Sequence, residues 1–255
     1  MYKLSGRVCV LALALCTGIA AHAGDFKGFY VGFNVGGNSA HSDAATSTVF
    51  SPTGYFASTS VPAIAGVGAQ KITGNSFAGG GQAGFNLQHK ALVLGVEADF
   101  GGMNLSPSKT GSATYPCCAP TAFTITQSVG TSWLFTLRPR VGYTRGPLFV
   151  YGTGGLATTD AKYTALFTDT FATANESGRK TSTQTGWSAG GGAEFKLGHR
   201  WSVKGEYLRA DFGNVSNTST NLTAFTPTIA FPTNVFTHKA NLTGNIYRFG
   251  FNYRF

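Results

Sequence analysis

The chain has 255 residues, 19 of them Lys or Arg against 10 Asp or Glu, for a formal charge of +9. Four cysteines are too few for a disulfide scaffold. Beyond the first two dozen residues no stretch of 18 apolar residues occurs, which excludes a membrane-crossing helix there.

In chain order, the first element is a leader. Lys3 and Arg7 open it, an apolar run extends from Val8 to Ile19, and Ala21-His22-Ala23 makes a small-x-small cleavage site. Residues 1–23 are therefore expected to be a secretory signal peptide, removed with Cys16, and 24–255 a single domain. The run is too short for a bilayer-spanning anchor of roughly 20 residues. Losing Lys3 and Arg7 leaves 17 bases against 10 acids, still +7.

The remainder of the chain alternates apolar with small or polar side chains and has almost no helical period. Eight such segments are predicted as strands: residues 29–38, 77–87, 92–105, 131–144, 148–158, 183–197, 201–212 and 245–255. The second and third are separated by a few residues around Gln88-His89-Lys90, the fourth and fifth by Arg145-Gly146-Pro147, the sixth and seventh by Gly198-His199-Arg200. The connections 39–76, 106–130, 159–182 and 213–244 are long and rich in Ser, Thr, Asn, Ala and Gly. Strict alternation of short and long connections predicts an all-β fold, an eight-stranded antiparallel up-and-down transmembrane β-barrel with short periplasmic turns and four long extracellular loops. Those loops read as low in charge and without a core of their own.

The rival is a soluble β-sandwich, whose charges face water. Here charges lie within strands, opposite bulky aromatics. In the last segment Tyr247, Phe249, Phe251, Tyr253 and Phe255 share one face, and Arg248, Gly250, Asn252 and Arg254 the other. The expected lumen set is Glu97, Asp99, Glu194 and Glu206 with Arg138, Arg140, Lys196, Lys204, Arg248 and Arg254. Cross-strand pairing is expected between Glu97 and Arg138 or Arg140, and between Glu206 and Arg248. The lumen of eight strands is just wide enough to be filled by side chains, so these charges are read as a polar plug, with a narrow charge-lined path as the alternative. Aromatic girdles are expected from Trp133 and Trp187 at the outer rim, and from Phe85, Tyr143, Phe195, Trp201, Tyr253 and Phe255 at the inner rim. Pro139 lies within a strand and lacks a ladder donor, which predicts a local bulge or an unpaired carbonyl.

Other motifs weigh less. Gly79-Gly80-Gly81-Gln82-Ala83-Gly84 matches a dinucleotide fingerprint, but it lies inside a strand with no helix after it. His89 and His199 fall in short turns, and His41 and His238 in long loops with no acidic partner nearby in sequence. No catalytic residues, metal site or cofactor are therefore assigned, and a lipid-acting barrel enzyme is the weakest alternative. No basic stripe with stacking aromatics suggests nucleic acid. Adjacent Cys117 and Cys118 are read either as a vicinal disulfide or as free or intermolecular thiols.

Trp133 to Tyr143, Val150-Tyr151-Gly152-Thr153-Gly154-Gly155-Leu156-Ala157, the run from Gly186 to Phe195, the run from Trp201 to Gly213 and the ending Gly250-Phe251-Asn252-Tyr253-Arg254-Phe255 together carry a resemblance. They are similar to the small α-proteobacterial outer-membrane proteins, the surface-antigen barrels of Brucella and the rhizobia, grouped with the OmpA-like transmembrane domain. Pro139 and the Cys117-Cys118 pair depart from that pattern. The resemblance implies a non-enzymatic outer-membrane barrel of the porin family type, contributing to envelope integrity and displaying surface loops. The expected partners are outer-membrane lipids and lipopolysaccharide, with the displayed loops open to host, lipopolysaccharide or other ligands. Phe255 resembles the C-terminal aromatic signal read by the outer-membrane assembly machinery. The extracellular ligand is left unnamed, and a narrow passive pore is the alternative function.

Overall fold

The structure, a computed structural model, describes residues 25–255. The expected signal peptide and cleavage site lie outside the described residues.

Period-two alternation becomes long antiparallel strands: β1 (Gly28–Thr48), β2 (Gln70–His89), β3 (Leu92–Leu105), β4 (Ser108–Thr114), β5 (Ala122–Arg145), β6 (Leu148–Asp169), β7 (Asn175–Lys196), β8 (Trp201–Ser219), β9 (Thr223–Ala224), β10 (Ile229–Ala230) and β11 (Phe236–Arg254). Eight of them close a ring in the order β1, β2, β3, β5, β6, β7, β8, β11 and back to β1. Closure leaves no sheet edge along the ring's lower part. Short β4 pairs with upper β5, and β9 with β10. Both ends of the described chain lie at one end of the ring, the terminal end, where Tyr30 faces Arg254.

Turns at the terminal end are as short as the sequence indicates. Lys90, with φ 55°, and Gly146, with φ 59°, adopt the left-handed backbone these turns require. The far end differs from expectation. Strands β1, β2, β5, β6, β7, β8 and β11 run well past the segments read from alternation, and the first long connection holds a helix, α1 (Ser60–Gly68), with Ser60, Ile64 and Gly68 buried. Nor is the far end without a core: Phe56, Ile64, Tyr115, Phe123, Ile125, Phe167, Leu222 and Phe236 pack together there. Burying a residue such as Phe167 or Phe236 contributes roughly 1.5–3 kcal/mol, enough to order a cap that composition alone reads as coil.

The bulge expected at Pro139 is absent. Leu137 pairs with Leu156 and Arg140 with Thr153 in one continuous register; only the positions between lack ladder partners on β6, and the Pro139 carbonyl accepts a 2.8 Å hydrogen bond from Thr153 Oγ1. The register shifts lie higher, at Gly130/Leu134 between β5 and β6, at Gly102/Leu105 between β3 and β5, and at Asn241/Thr243 between β8 and β11. Near the last of these Gly213 takes φ 70°, and β8 leaves β7. β7 and β8 pair from Trp187 to Lys196, and beyond that, among the described residues, β7 pairs on this side only with β9, where Asn175 meets Thr223. Between those points the link from β8 to β9 reaches β7 through a side chain, with Asn221 Nδ2 donating to the Ser177 carbonyl at 2.8 Å.

Candidate functional site

The outward positions of the ring form an apolar surface. Phe29, Phe33, Leu94, Phe100, Val141, Val150, Trp187, Phe249 and Phe255 are each more than 40% exposed. A contiguous apolar surface of this extent is stable only against an apolar medium. It runs from Leu148 to Leu156 on β6 and from Tyr247 to Phe255 on β11, which matches the ~9–11 residues a tilted strand needs to cross a bilayer. Trp133 and Trp187 stand at its upper margin, where the Trp133 ring lies 6.0 Å from that of Phe100. Phe85, Tyr143, Phe195, Trp201, Tyr253 and Phe255 lie toward the terminal end, with Trp201 against Tyr253 at 5.0 Å and Phe255 against Phe29 at 5.7 Å.

Inside, the structure brings nine of the ten sequence-selected charges together. Glu97 sits directly across the ladder from Arg138, which donates to it at 2.9 Å, and Lys204 Nζ lies 2.7 Å from its other side. Tyr30 donates to Glu97 at 2.7 Å. Asp99 accepts from Arg138 at 2.9 Å and from both ends of the Arg248 guanidinium at 2.8 and 3.0 Å. Glu206, opposite Arg248 in register, receives that guanidinium at 2.6 Å and the Tyr151 hydroxyl at 2.9 Å. Glu194 gathers Arg140 and Arg254 at 3.2 Å each and Ser202 at 2.6 Å. Lys196 does not join: its ammonium bonds the Asp25 carbonyl and lies over Phe26 at the terminal mouth. Four carboxylates thus meet five cations, all nearly inaccessible to solvent. Networks of this kind are costly to desolvate, so the stability they confer depends on every member being paired.

One glycine is dictated by this packing. A Cβ on Gly84 would overlap the Tyr30 phenol that holds Glu97. Gly84→Ala is expected to destabilise the folded barrel by about 1–3 kcal/mol, read as a lower temperature for loss of its compact electrophoretic form.

Layers seal the interior above and below. Toward the terminal end Phe26, Val93, Phe149 and Tyr151 form an apolar floor, with the Phe26 amide donating to Gln88 Oε1 at 2.7 Å. Above the charges lie Ile72, Met103, Leu105, Leu134, Leu208, Phe212, Leu242 and Ile246. Two cavities beside them hold about 10 and 20 Å³, room for a single water at most.

A second buried polar cluster lies higher still, and sequence reasoning missed it. His238, assigned to a loop without an acidic partner, is on β11 with Nε2 3.1 Å from Glu176 of β7 and Nδ1 3.0 Å from Thr46 of β1. Thr46 and Tyr163 both donate to Gln127 Oε1, at 3.0 and 2.5 Å, and Gln127 Nε2 donates to the Gly68 carbonyl closing α1. Continued alternation could have shown it, since Phe236, His238, Ala240 and Leu242 share a face. Glu176 and His238 are wholly inaccessible to solvent, so the cluster ties strands rather than reaching a substrate.

At the cap, Asp169 accepts from Tyr55 at 2.6 Å, from Tyr115 at 2.8 Å and from the Ala174 amide at 2.8 Å. Cys117 and Cys118 are joined as a vicinal disulfide beside them. Burial, reinforced by Asp169, raises both phenols above their ordinary range. The folded state therefore keeps their protons more tightly than the unfolded chain. The stability this gives is complete below the free tyrosine value of about 10 and declines as pH rises past it. Proteolysis of the cap should accelerate above that pH while the ring below stays protected; Tyr55→Phe/Tyr115→Phe should abolish the pH step.

The chain matches the family model described as the outer membrane protein beta-barrel domain over residues 8–255. It is similar to the 31 kDa outer-membrane immunogenic protein of Brucella melitensis, with 35% identity over 148 residues, 57% of this chain and 58% of that protein. It is also similar to the 22 kDa outer membrane protein of Rhizobium leguminosarum, with 28% identity over 52% of each chain. The chain thus spans between half and three fifths of the length of these relatives. Among solved structures, the outer membrane protein OprG of Pseudomonas aeruginosa matches with 13% identity and a TM-score of 0.43, covering 93% of this chain and 99% of that one.

Proposed function

The chain belongs to the outer-membrane β-barrel family, and from that premise we propose that it is a structural barrel that strengthens the envelope and displays its cap outside the cell. In this reading the eight ring strands are transmembrane, the terminal end faces the periplasm, and four connections at the far end face outward. The observation that carries it is the sealed interior: an apolar floor, a paired ionic layer and an apolar ceiling fill the lumen.

The girdle aromatics and the apolar band contact outer-membrane lipid, and residues 1–23 direct export. Phe255, 71% exposed just beyond β11, extends the lipid-facing aromatic row, its ring 5.2 Å from that of Tyr253. The cap, with its exposed disulfide turn, is the surface that corresponds to the immunogenic character named for the Brucella relative. It acts by contact, without catalysis.

Labelling of intact cells with a membrane-impermeant amine reagent tests the orientation. Lys109, exposed on β4, should be modified, and Lys90, in a turn at the terminal end, should be protected. Modification of Lys90 with protection of Lys109 would reverse the assignment and remove the cap from the cell surface.

A further inference from the structure

The cap at the far end holds a half-open cavity of about 110 Å³, walled by the rings of Tyr55, Phe56, Tyr115 and Phe171 and by the Cys117–Cys118 disulfide. Tyr55 stands at 82° to Phe56 and at 64° to Phe171, so these rings meet as a corner rather than a stack.

A carboxylate sits behind the rings. The Tyr55 and Tyr115 hydroxyls both donate to Asp169 Oδ2, at 2.6 and 2.8 Å, and the Ala172 and Ala174 amides donate to Oδ1 at 3.3 and 2.8 Å. None of these donors carries a charge. Asp169 has no ion-pair partner among the described residues. Across residues 49–69, 114–126, 163–175 and 219–237, which build the cap, it is the only charged side chain. The lumen treats its acids differently, since Glu97, Asp99, Glu194 and Glu206 each meet Arg or Lys.

A negative charge with no counter-charge, set behind aromatic walls, attracts a cation. The walls decide which kind. A hard metal ion needs several oxygen ligands, and the oxygens of this one carboxylate are already engaged by the phenols and amides. Rings and sulfur suit a weakly hydrated cation clothed in methyl groups. Size agrees, because a cavity of ~150 Å³ holds a benzene molecule, and a trimethylammonium head has about the bulk of that ring.

We propose that this cavity binds the quaternary ammonium head of a small ligand, with the Tyr55, Tyr115 and Phe171 rings supplying cation–π attraction and Asp169 the opposing charge. The site goes beyond the proposed function; its exposure to the exterior rests on that reading, whereas its occupancy in the purified barrel does not depend on which end faces out.

The test is titration calorimetry on the purified full-length barrel, in a detergent without quaternary ammonium groups. The probes are choline, tetramethylammonium and the uncharged isostere of choline in which a tert-butyl group replaces trimethylammonium. Choline should bind about tenfold more tightly than the isostere, and tetramethylammonium should compete with it. Phe171→Leu keeps apolar bulk and removes a ring; Asp169→Asn keeps an acceptor and removes the charge. Each should weaken choline by about three- to tenfold and leave the isostere nearly unaffected. Phe50→Leu, at an exposed cap ring outside the cavity, should change nothing. Equal binding of choline and its isostere overturns the site, leaving a plain apolar hollow. So does choline binding that survives both Phe171→Leu and Asp169→Asn, or that equimolar sodium displaces. Heat-modifiable migration on every sample separates loss of fold from loss of binding, and Phe171, 51% exposed, carries the test should Asp169→Asn loosen the cap. Failure of the titration defeats the cation site alone, whereas labelling of Lys90 with protection of Lys109 in intact cells defeats the orientation alone.

Discussion

Glu97→Ala is expected to lower the stability of the folded barrel by about 3–5 kcal/mol, because it leaves buried cations without their shared carboxylate. Glu97 is the hub: Arg138, Arg140, Lys204 and Tyr30 all converge on it, with Arg248 at 3.8 Å. Removing it strands Lys204 most severely, since Glu206, at 4.0 Å, is the other carboxylate within pairing range of its ammonium. The measurement is the temperature at which the compact electrophoretic form converts to the unfolded one. Replacing both partners, Glu97→Leu/Lys204→Met, should recover a substantial part of the loss, because two desolvated charges disappear together. A Glu97→Ala barrel as heat-stable as wild type would show that the ionic layer is not what holds the lumen shut.

His238→Ala carries the second large effect, about 3 kcal/mol or more, by leaving the Glu176 carboxylate buried with Ser219 as its remaining side-chain partner. The loss should be local. Glu176 and His238 join β7 to β11 above the point where β7 and β8 stop pairing, so unfolding there opens the far end first. Hydrogen exchange should therefore rise in residues 175–186 and 212–222 before it rises in the ladder from Trp187 to Lys196. In a double-mutant cycle Glu176→Ala/His238→Ala should cost clearly less than the sum of the single changes. Uniform exchange across both regions would assign the cluster no special part in closing the seam.

How much of this is legible in the sequence depends on contrast between faces. Where one side of a strand meets lipid and the other a charged lumen, alternation is unambiguous, and the run from Tyr247 to Phe255 places every residue correctly. Above the band that contrast fades. Asn175-Glu176-Ser177-Gly178-Arg179-Lys180-Thr181 is polar on both faces, so alternation marks β7 only from 183 although the strand begins at Asn175. The same fading makes the cap look coreless, although Phe56, Phe123, Phe167 and Phe236 supply its core from segments far apart in the chain.

Helix α1 escapes for another reason. Ser60-Val61-Pro62-Ala63-Ile64-Ala65-Gly66 has too few large residues to show a 3.6-residue period, and its stripe becomes evident only from what Ile64 packs against. At Pro139 a missing donor does not amount to a distorted ladder; the chain simply skips those positions and keeps register. Parity puts Lys196 in the lumen, yet it lies near the strand's end, where the mouth offers a carbonyl and an aromatic ring instead. Adjacency alone does not choose the vicinal disulfide over free thiols.

Paired charges between apolar layers close the interior. Single-channel recording of the purified protein in planar bilayers tests it most directly. The sealed lumen predicts an unaltered baseline for wild type, with openings appearing only in variants such as Glu97→Ala that break the ionic layer. A stable, reproducible open level in the wild-type protein, ion-selective in a way that shifts with Glu97 or Glu206, would contradict it and make the barrel a pore.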